Sequence, residues 1–244
     1  MSFVFEKVGK NNEVVHSLKL DAHVNINCEP ECVETDTMDD ELNESDLYKE
    51  LGILTKDKSK WKQNIPSVHS LLRADSAKIQ AKALWLLGEM GLKYPHDIAE
   101  CIPDIAAFLN SQDALLTERA INALGRIGRA DFDLIKPYWA DLFRFANNPE
   151  PNVRLSFIWA SENIATETPA IYSESMNIFA SLLNDSNDKV RMESPEIFRV
   201  IGKRQPELVR PYIELLTKIS QSDENKVVRI HSLGAIKATG SKIE

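Results

Sequence analysis

From residue 79 to residue 240 the apolar positions keep one rhythm that returns five times. Ile79–Gly91 (IQAKALWLLGEMG), Leu116–Gly128 (LTERAINALGRIG), Val153–Ala165 (VRLSFIWASENIA), Val190–Gly202 (VRMESPEIFRVIG) and Val228–Gly240 (VRIHSLGAIKATG) align without gaps, their starts 37, 37, 37 and 38 residues apart. Aliphatic or small residues recur at the first, fifth, eighth, ninth and twelfth places, the buried stripe of an amphipathic helix. The thirteenth place is Gly, Gly, Ala, Gly, Gly. This predicts helices that end in left-handed caps, where a Cβ would clash.

A second amphipathic stretch precedes each segment: Ile65–Leu72, Ile102–Leu109, Pro137–Phe145, Ile171–Leu183 and Val209–Ile219. Pro66, Pro103, Pro137 and Pro211 fall near the starts of four of them, where a missing N–H costs nothing. Each unit therefore reads as helix, polar turn, helix. A lone pair cannot bury its apolar face, so the units must stack into a one-dimensional array.

Three features tie this pattern to a known family: the first-helix proline, the acidic turn before the second helix, and Val-Arg opening that helix at Val153-Arg154, Val190-Arg191 and Val228-Arg229. The array resembles the HEAT-repeat family over residues 61–244. The resemblance implies a mainly α fold, an α–α superhelix (solenoid) of five helix pairs. It also implies that the second helices line the concave face, and that Arg154, Arg191 and Arg229 bond turn carboxylates, with Glu150, Asp188 and Asp223 or Glu224 as partners. Pro195 departs from the pattern at the sixth place of the fourth segment. Either that helix starts at Ser194 or it kinks at the proline.

The head has a different period. Leu18, Leu20, Ala22, Val24, Ile26 and Cys28 alternate with Ser17, Lys19, Asp21, His23, Asn25 and Asn27, which predicts a strand. Phe3–Val8 is a second strand candidate and Gly9–Asn12 a turn, giving an N-terminal β-hairpin over residues 1–28. Such a hairpin is expected to cap the array, to pair with another copy or to join a partner's sheet. Residues 29–60 read as an acidic linker with a short helix at Asp46–Leu54, and residues 61–244 as the repeat domain.

Charge sharpens this division. The net charge of −8 is not spread evenly: residues 1–55 hold 4 Lys/Arg against 13 Asp/Glu, while residues 56–244 hold 25 against 24. An acidic head precedes a nearly neutral body. Three cysteines do not make a disulfide framework, no apolar run is long enough for a membrane span, and Met1–Lys10 lacks a secretion-signal pattern. A cytoplasmic, reduced protein is the expectation. His16, His23, Cys28 and Cys32 are metal-ligand types, but their spacing matches no zinc finger, so neither a metal nor a cofactor is expected.

The fourth, seventh, eleventh and fourteenth places of the second helices face outward. Trp85 and Trp159 share the seventh place two repeats apart, with Glu89, Arg119, Asn122, Arg126 and Arg129 beside or between them. Aromatic rings around guanidinium groups are the composition of interaction hot spots. These seven residues form the candidate partner-binding patch, for a protein or peptide and without catalysis. No phosphate loop, HExxH or nucleophile elbow occurs. The alternative is a DNA-alkylation-repair glycosylase of the HEAT-like kind, to which Trp85, Glu89, Arg126 and Trp159 are similar in type and placement. A body near +1 disfavours nucleic acid, since duplex binding needs several phosphate contacts.

Overall fold

The computed structural model describes residues 43–240. Among these every regular element is helical and no strand occurs. The proposed hairpin at 1–28, most of the acidic stretch and the His/Cys quartet lie outside the described residues, and the hairpin takes no support from the structure.

Helix α1 (Glu44–Lys56) packs on the first repeat through Leu51 and Leu54, and the Trp61 indole N–H donates to the Leu54 carbonyl at 2.8 Å. Five helix pairs follow. The first members are α2 (Trp61–Ser70), α4 (Ile102–Ala107), α6 with α7 (Phe132–Ile135, Trp139–Leu142), α9 (Met176–Leu182) and α11 with α12 (Pro206–Val209, Ile213–Ser222). The second members are α3 (Ala77–Lys93), α5 (Ala114–Ala130), α8 (Pro151–Ala165), α10 (Asp188–Gly202) and α13 (Lys226–Ala238). The first members are broken into short α and 3-10 turns. Pro137 and Pro211 open such 3-10 turns and Pro103 opens α4, but Pro66 lies inside α2.

Each second helix begins two residues before its thirteen-residue segment. Ser76, Asp113, Asn187 and Asn225 cap four of them by accepting backbone N–H groups, and Pro151 opens the other. The residues at the first, fifth, eighth, ninth and twelfth places are buried in all five helices. One core therefore runs the length of the array.

Two of the thirteenth-place glycines do something other than cap. Only Gly240 has a left-handed backbone, at φ 73°, while Gly91 and Gly128 lie inside their helices. They are required by close packing instead. A Cβ on Gly91 would sit 2.5 Å from Ile127 Cγ1, and one on Gly128 would sit 2.7 Å from Ile135 Cγ1 and 2.9 Å from Ile164 Cγ1. Pro195 also has a packing role. Helix α10 runs through it without a break from Asp188, so the helix does not start at Ser194. Pro195 is buried in the sixth-place column with Leu84, Ile121 and Ile158. Ser194 Oγ lies 2.7 Å from the Val190 carbonyl and 2.9 Å from the Leu182 carbonyl, satisfying polar groups beside the lost backbone bond.

The second helices stack directly on one another, α3 on α5 on α8 on α10 on α13, whereas successive first helices touch far less. The tightly spaced layer is the inner side of a curved solenoid. Gly88 against Ala123 and Gly125 against Ala160 set the closest approach: a Cβ on Gly88 would lie 2.7 Å from Ala123 Cα, and one on Gly125 closer still to Ala160 Cα. Across the outer turns the arginines lock neighbouring units. Arg154 bridges to Asp185, while Arg191 reaches Asp188, Asp223 and Glu224. Arg229 donates to the Asp223 and Glu224 carbonyls at 2.5 and 3.1 Å. Glu150 is not the partner of Arg154; the turn carboxylate one repeat further on, Asp185, takes that place.

Candidate functional site

The exposed face of the inner layer carries the fourth and seventh places of the second helices. On α3 and α5 these hold Lys82, Trp85, Arg119 and Asn122; on α8, α10 and α13 they hold Trp159, Glu193, Glu196, His231 and Gly234, while Ser156, the fourth place of α8, is buried. Trp159 stands out, with 39% of its surface exposed. Trp85 is half-buried, and its ring floors an open hollow of about 350 Å³ lined by Tyr48, Lys78, Lys82, Leu115 and Arg119. The two tryptophans are two helix spacings apart, which at 8–10 Å per spacing is about 16–20 Å.

Not all seven candidate residues remain free for a partner. Glu89 and Arg126 pair with each other at 2.7 Å, both largely buried, and Arg126 also donates to the Asn122 carbonyl at 3.3 Å. Asn122 donates to Ser156 Oγ at 3.0 Å and so ties α5 to α8. Arg129 is exposed near the end of α5, away from the hollow's lining. Three of the seven thus hold the array together, and Trp85, Arg119 and Trp159 keep accessible surface on the inner face.

The chemistry of the two ends differs. At the N-terminal end Lys78 lies over Tyr48 at 4.4 Å and Lys82 over Trp85 at 4.5 Å. Burial and the nearby Arg119 guanidinium both hold the Lys82 ammonium below its usual pKa. At the C-terminal end, burial pushes the Glu162 carboxyl up to about 8, with repulsion from Glu193 and Glu196 adding to it and Arg199 opposing. Glu196 is paired with Arg199 and lies 3.6 Å from His231, whose Nδ1 is 2.7 Å from the Met192 carbonyl.

Glu162 and Arg199 are site residues that the outward-place reading missed. Both stand at the tenth place, where the column reads Gly88, Gly125, Glu162, Arg199, Lys237. In the first two repeats this place is the Gly-on-Ala seam; from the third onward a charged side chain enters it. That change of residue type was visible in the aligned segments.

Glu89, the acid of the glycosylase alternative, is occupied by Arg126. Burial pushes the Cys101 thiol up to about 11, with Asp104 and Glu100 adding to the effect, so it is not a thiolate nucleophile at neutral pH. Among the described residues no group of three or more His, Cys, Asp or Glu side chains is placed to hold a metal. No helix among them is long and apolar enough to cross a membrane.

No family model and no curated protein matches the chain. Solved structures do. An engineered protein from a structural genomics programme superposes with a TM-score of 0.63 at 16% identity, over 84% of this chain and 93% of that one. A designed armadillo repeat protein in complex with a (KR)4 peptide gives a TM-score of 0.62 at 17% identity, covering 84% and 95%. Computationally designed armadillo repeat proteins for modular peptide recognition give 0.56 at 16% identity, covering 80% and 94%. The fold is that of an armadillo-like helical repeat solenoid. The narrower assignment to HEAT repeats is not established by these likenesses.

Proposed function

We propose that this chain is a non-enzymatic scaffold that binds an extended segment of a partner protein along the inner face of the array, between the Trp85 hollow and the Trp159–Glu193 edge. The observation that carries this reading is the exposed Trp159 ring, set on the inner layer beside α10, which carries Glu193 at an outward place. A large amphipathic ring is costly to leave in water, and next to carboxylates it suits the stem and charge of a Lys or Arg side chain. The designed neighbour bound to (KR)4 supports the reading, since it joins the same architecture to a basic peptide.

The test uses the full chain and a fluorescently labelled (KR)4 peptide, with binding followed by anisotropy at low salt. Binding is expected to weaken at least about tenfold, a loss near 1.4 kcal/mol, in Trp159→Ala and in Glu193→Gln. The melting temperature should stay within about 2 °C of the parent, because Trp159 is a surface residue. Equal affinity in parent and variants would sink the assignment.

A further inference from the structure

The hollow at the N-terminal end of the same face holds a cationic pair, Lys82 and Arg119. Lys82 and Arg119 form no ion pair among the described residues, and Lys78 has only a long one, 3.9 Å to Glu44. Glu118, the acid next to Arg119 in sequence, is pushed up by burial and feels the Arg119 charge, but makes no ion pair with it among the described residues. Burial, and after it the Arg119 charge, depresses Lys82, as described above. Beneath them lie the apolar surfaces of Trp85, Tyr48 and Leu115, the last two exposed. Elsewhere in the array three partly buried arginines meet carboxylates: Arg126 with Glu89, Arg154 with Asp185, Arg191 with Asp223. Desolvated like charges above an apolar floor are unfavourable in the free protein and become favourable once an anion arrives.

We infer that this hollow receives a carboxylate-bearing side chain of the bound partner segment, so that the segment is bipolar, acidic at the α3–α5 end and basic at the α8–α10 end. The inference rests on the function proposed above and adds the chemistry of the partner to it. Charge complementarity selects the occupant: an ammonium and a guanidinium line the hollow at one end, and Glu193 stands at an outward place of α10 at the other. The ends are three helix spacings apart, roughly 24–30 Å, which an extended chain spans in about eight or nine residues. The apolar floor adds that the acidic residue is flanked by an apolar one.

The experiment compares three labelled peptides on the full chain: (KR)4 alone, and two peptides of about ten residues that join Lys-Arg pairs to a Glu-Leu-Glu end, one in each chain direction. One bipolar peptide should bind at least about tenfold more tightly than (KR)4 at low salt. That gain should vanish in Lys82→Glu/Arg119→Glu while (KR)4 affinity does not fall. No gain from the acidic end in either direction overturns the inference, and (KR)4 binding reports separately on the proposed function. A gain that appears only when Asp36, Asp39, Asp40 and Glu41 are replaced by their amides also overturns it, because the hollow is then filled by the chain's own acidic stretch rather than by a partner.

Discussion

Arg154 and Asp185 meet across the interface of the third and fourth repeats in a two-point bridge, Nε to Oδ2 and Nη2 to Oδ1, both 2.7 Å. Their side chains are 11% and 8% exposed, and a third nitrogen of Arg154 donates to the Asn148 and Pro149 carbonyls. The guanidinium therefore closes its own turn and grips the next one. Planar fork geometry is what makes this possible, and a lysine could not reproduce it.

Breaking that bridge from one side should be costly. Asp185→Asn leaves a largely buried guanidinium without its charge partner, and a loss of about 3 kcal/mol is expected in urea unfolding. Burial works against ionisation of Asp185, but Arg154 and the Asn187 amide hold its carboxyl below the usual value of 3.8. The stabilisation is thus complete above that value and is lost as pH falls through the lower folded pKa. Asp185→Asn should flatten acid unfolding in that window.

Glu162 should show the opposite slope. Unfolded, its carboxyl ionises near 4.5; folded, it keeps its proton until about 8. Between those values the folded state binds more protons, so stability falls as pH rises and levels off above 8. Glu162→Gln is expected to raise the melting temperature by roughly 4–8 °C at pH 8.5 and to change it little at pH 5. Scanning calorimetry at the two pH values is the check, and an equal shift at both would show that burial of the charge is not the cause.

Gly125 should be intolerant of a methyl group. Its added Cβ would collide with the Ala160 Cα, and backbone cannot yield as a side chain can. Helix propensity alone favours alanine by about 1 kcal/mol. Gly125→Ala is nonetheless predicted to destabilise by about 1–3 kcal/mol. Gly52, with open space around it, is the control and should gain stability on the same change.

The third and fourth repeats are joined by rings rather than aliphatics. Phe157 and Phe179 stack at 5.2 Å, and Trp139 and Tyr172 meet edge to face at 4.7 Å. Phe179 is fully buried. Phe179→Ala should cost about 3–5 kcal/mol in denaturant unfolding. A loss below about 1 kcal/mol would mean that the seam collapses without it.

The five-fold period and the buried stripe were determined by the sequence alone, because helical spacing maps directly onto burial: each place read as inward is inward in every repeat. The accessible members of the patch, Trp85, Arg119 and Trp159, could be placed from the same register. What periodicity could not say is what a residue meets on the neighbouring helix. The thirteenth-place glycines read as caps because a cap and a close approach ask for the same missing Cβ; only tertiary packing shows Ile127 and Ile164 filling that space. Arg126 read as a free cation because Glu89 lies on another helix, 37 residues earlier and within 2.7 Å. Glu162 carried no local mark, because nothing in its own helix places Glu193 and Glu196 beside it. Local spacing decided which way each side chain points, and the stacking of one helix on the next decided which charges were left for a partner.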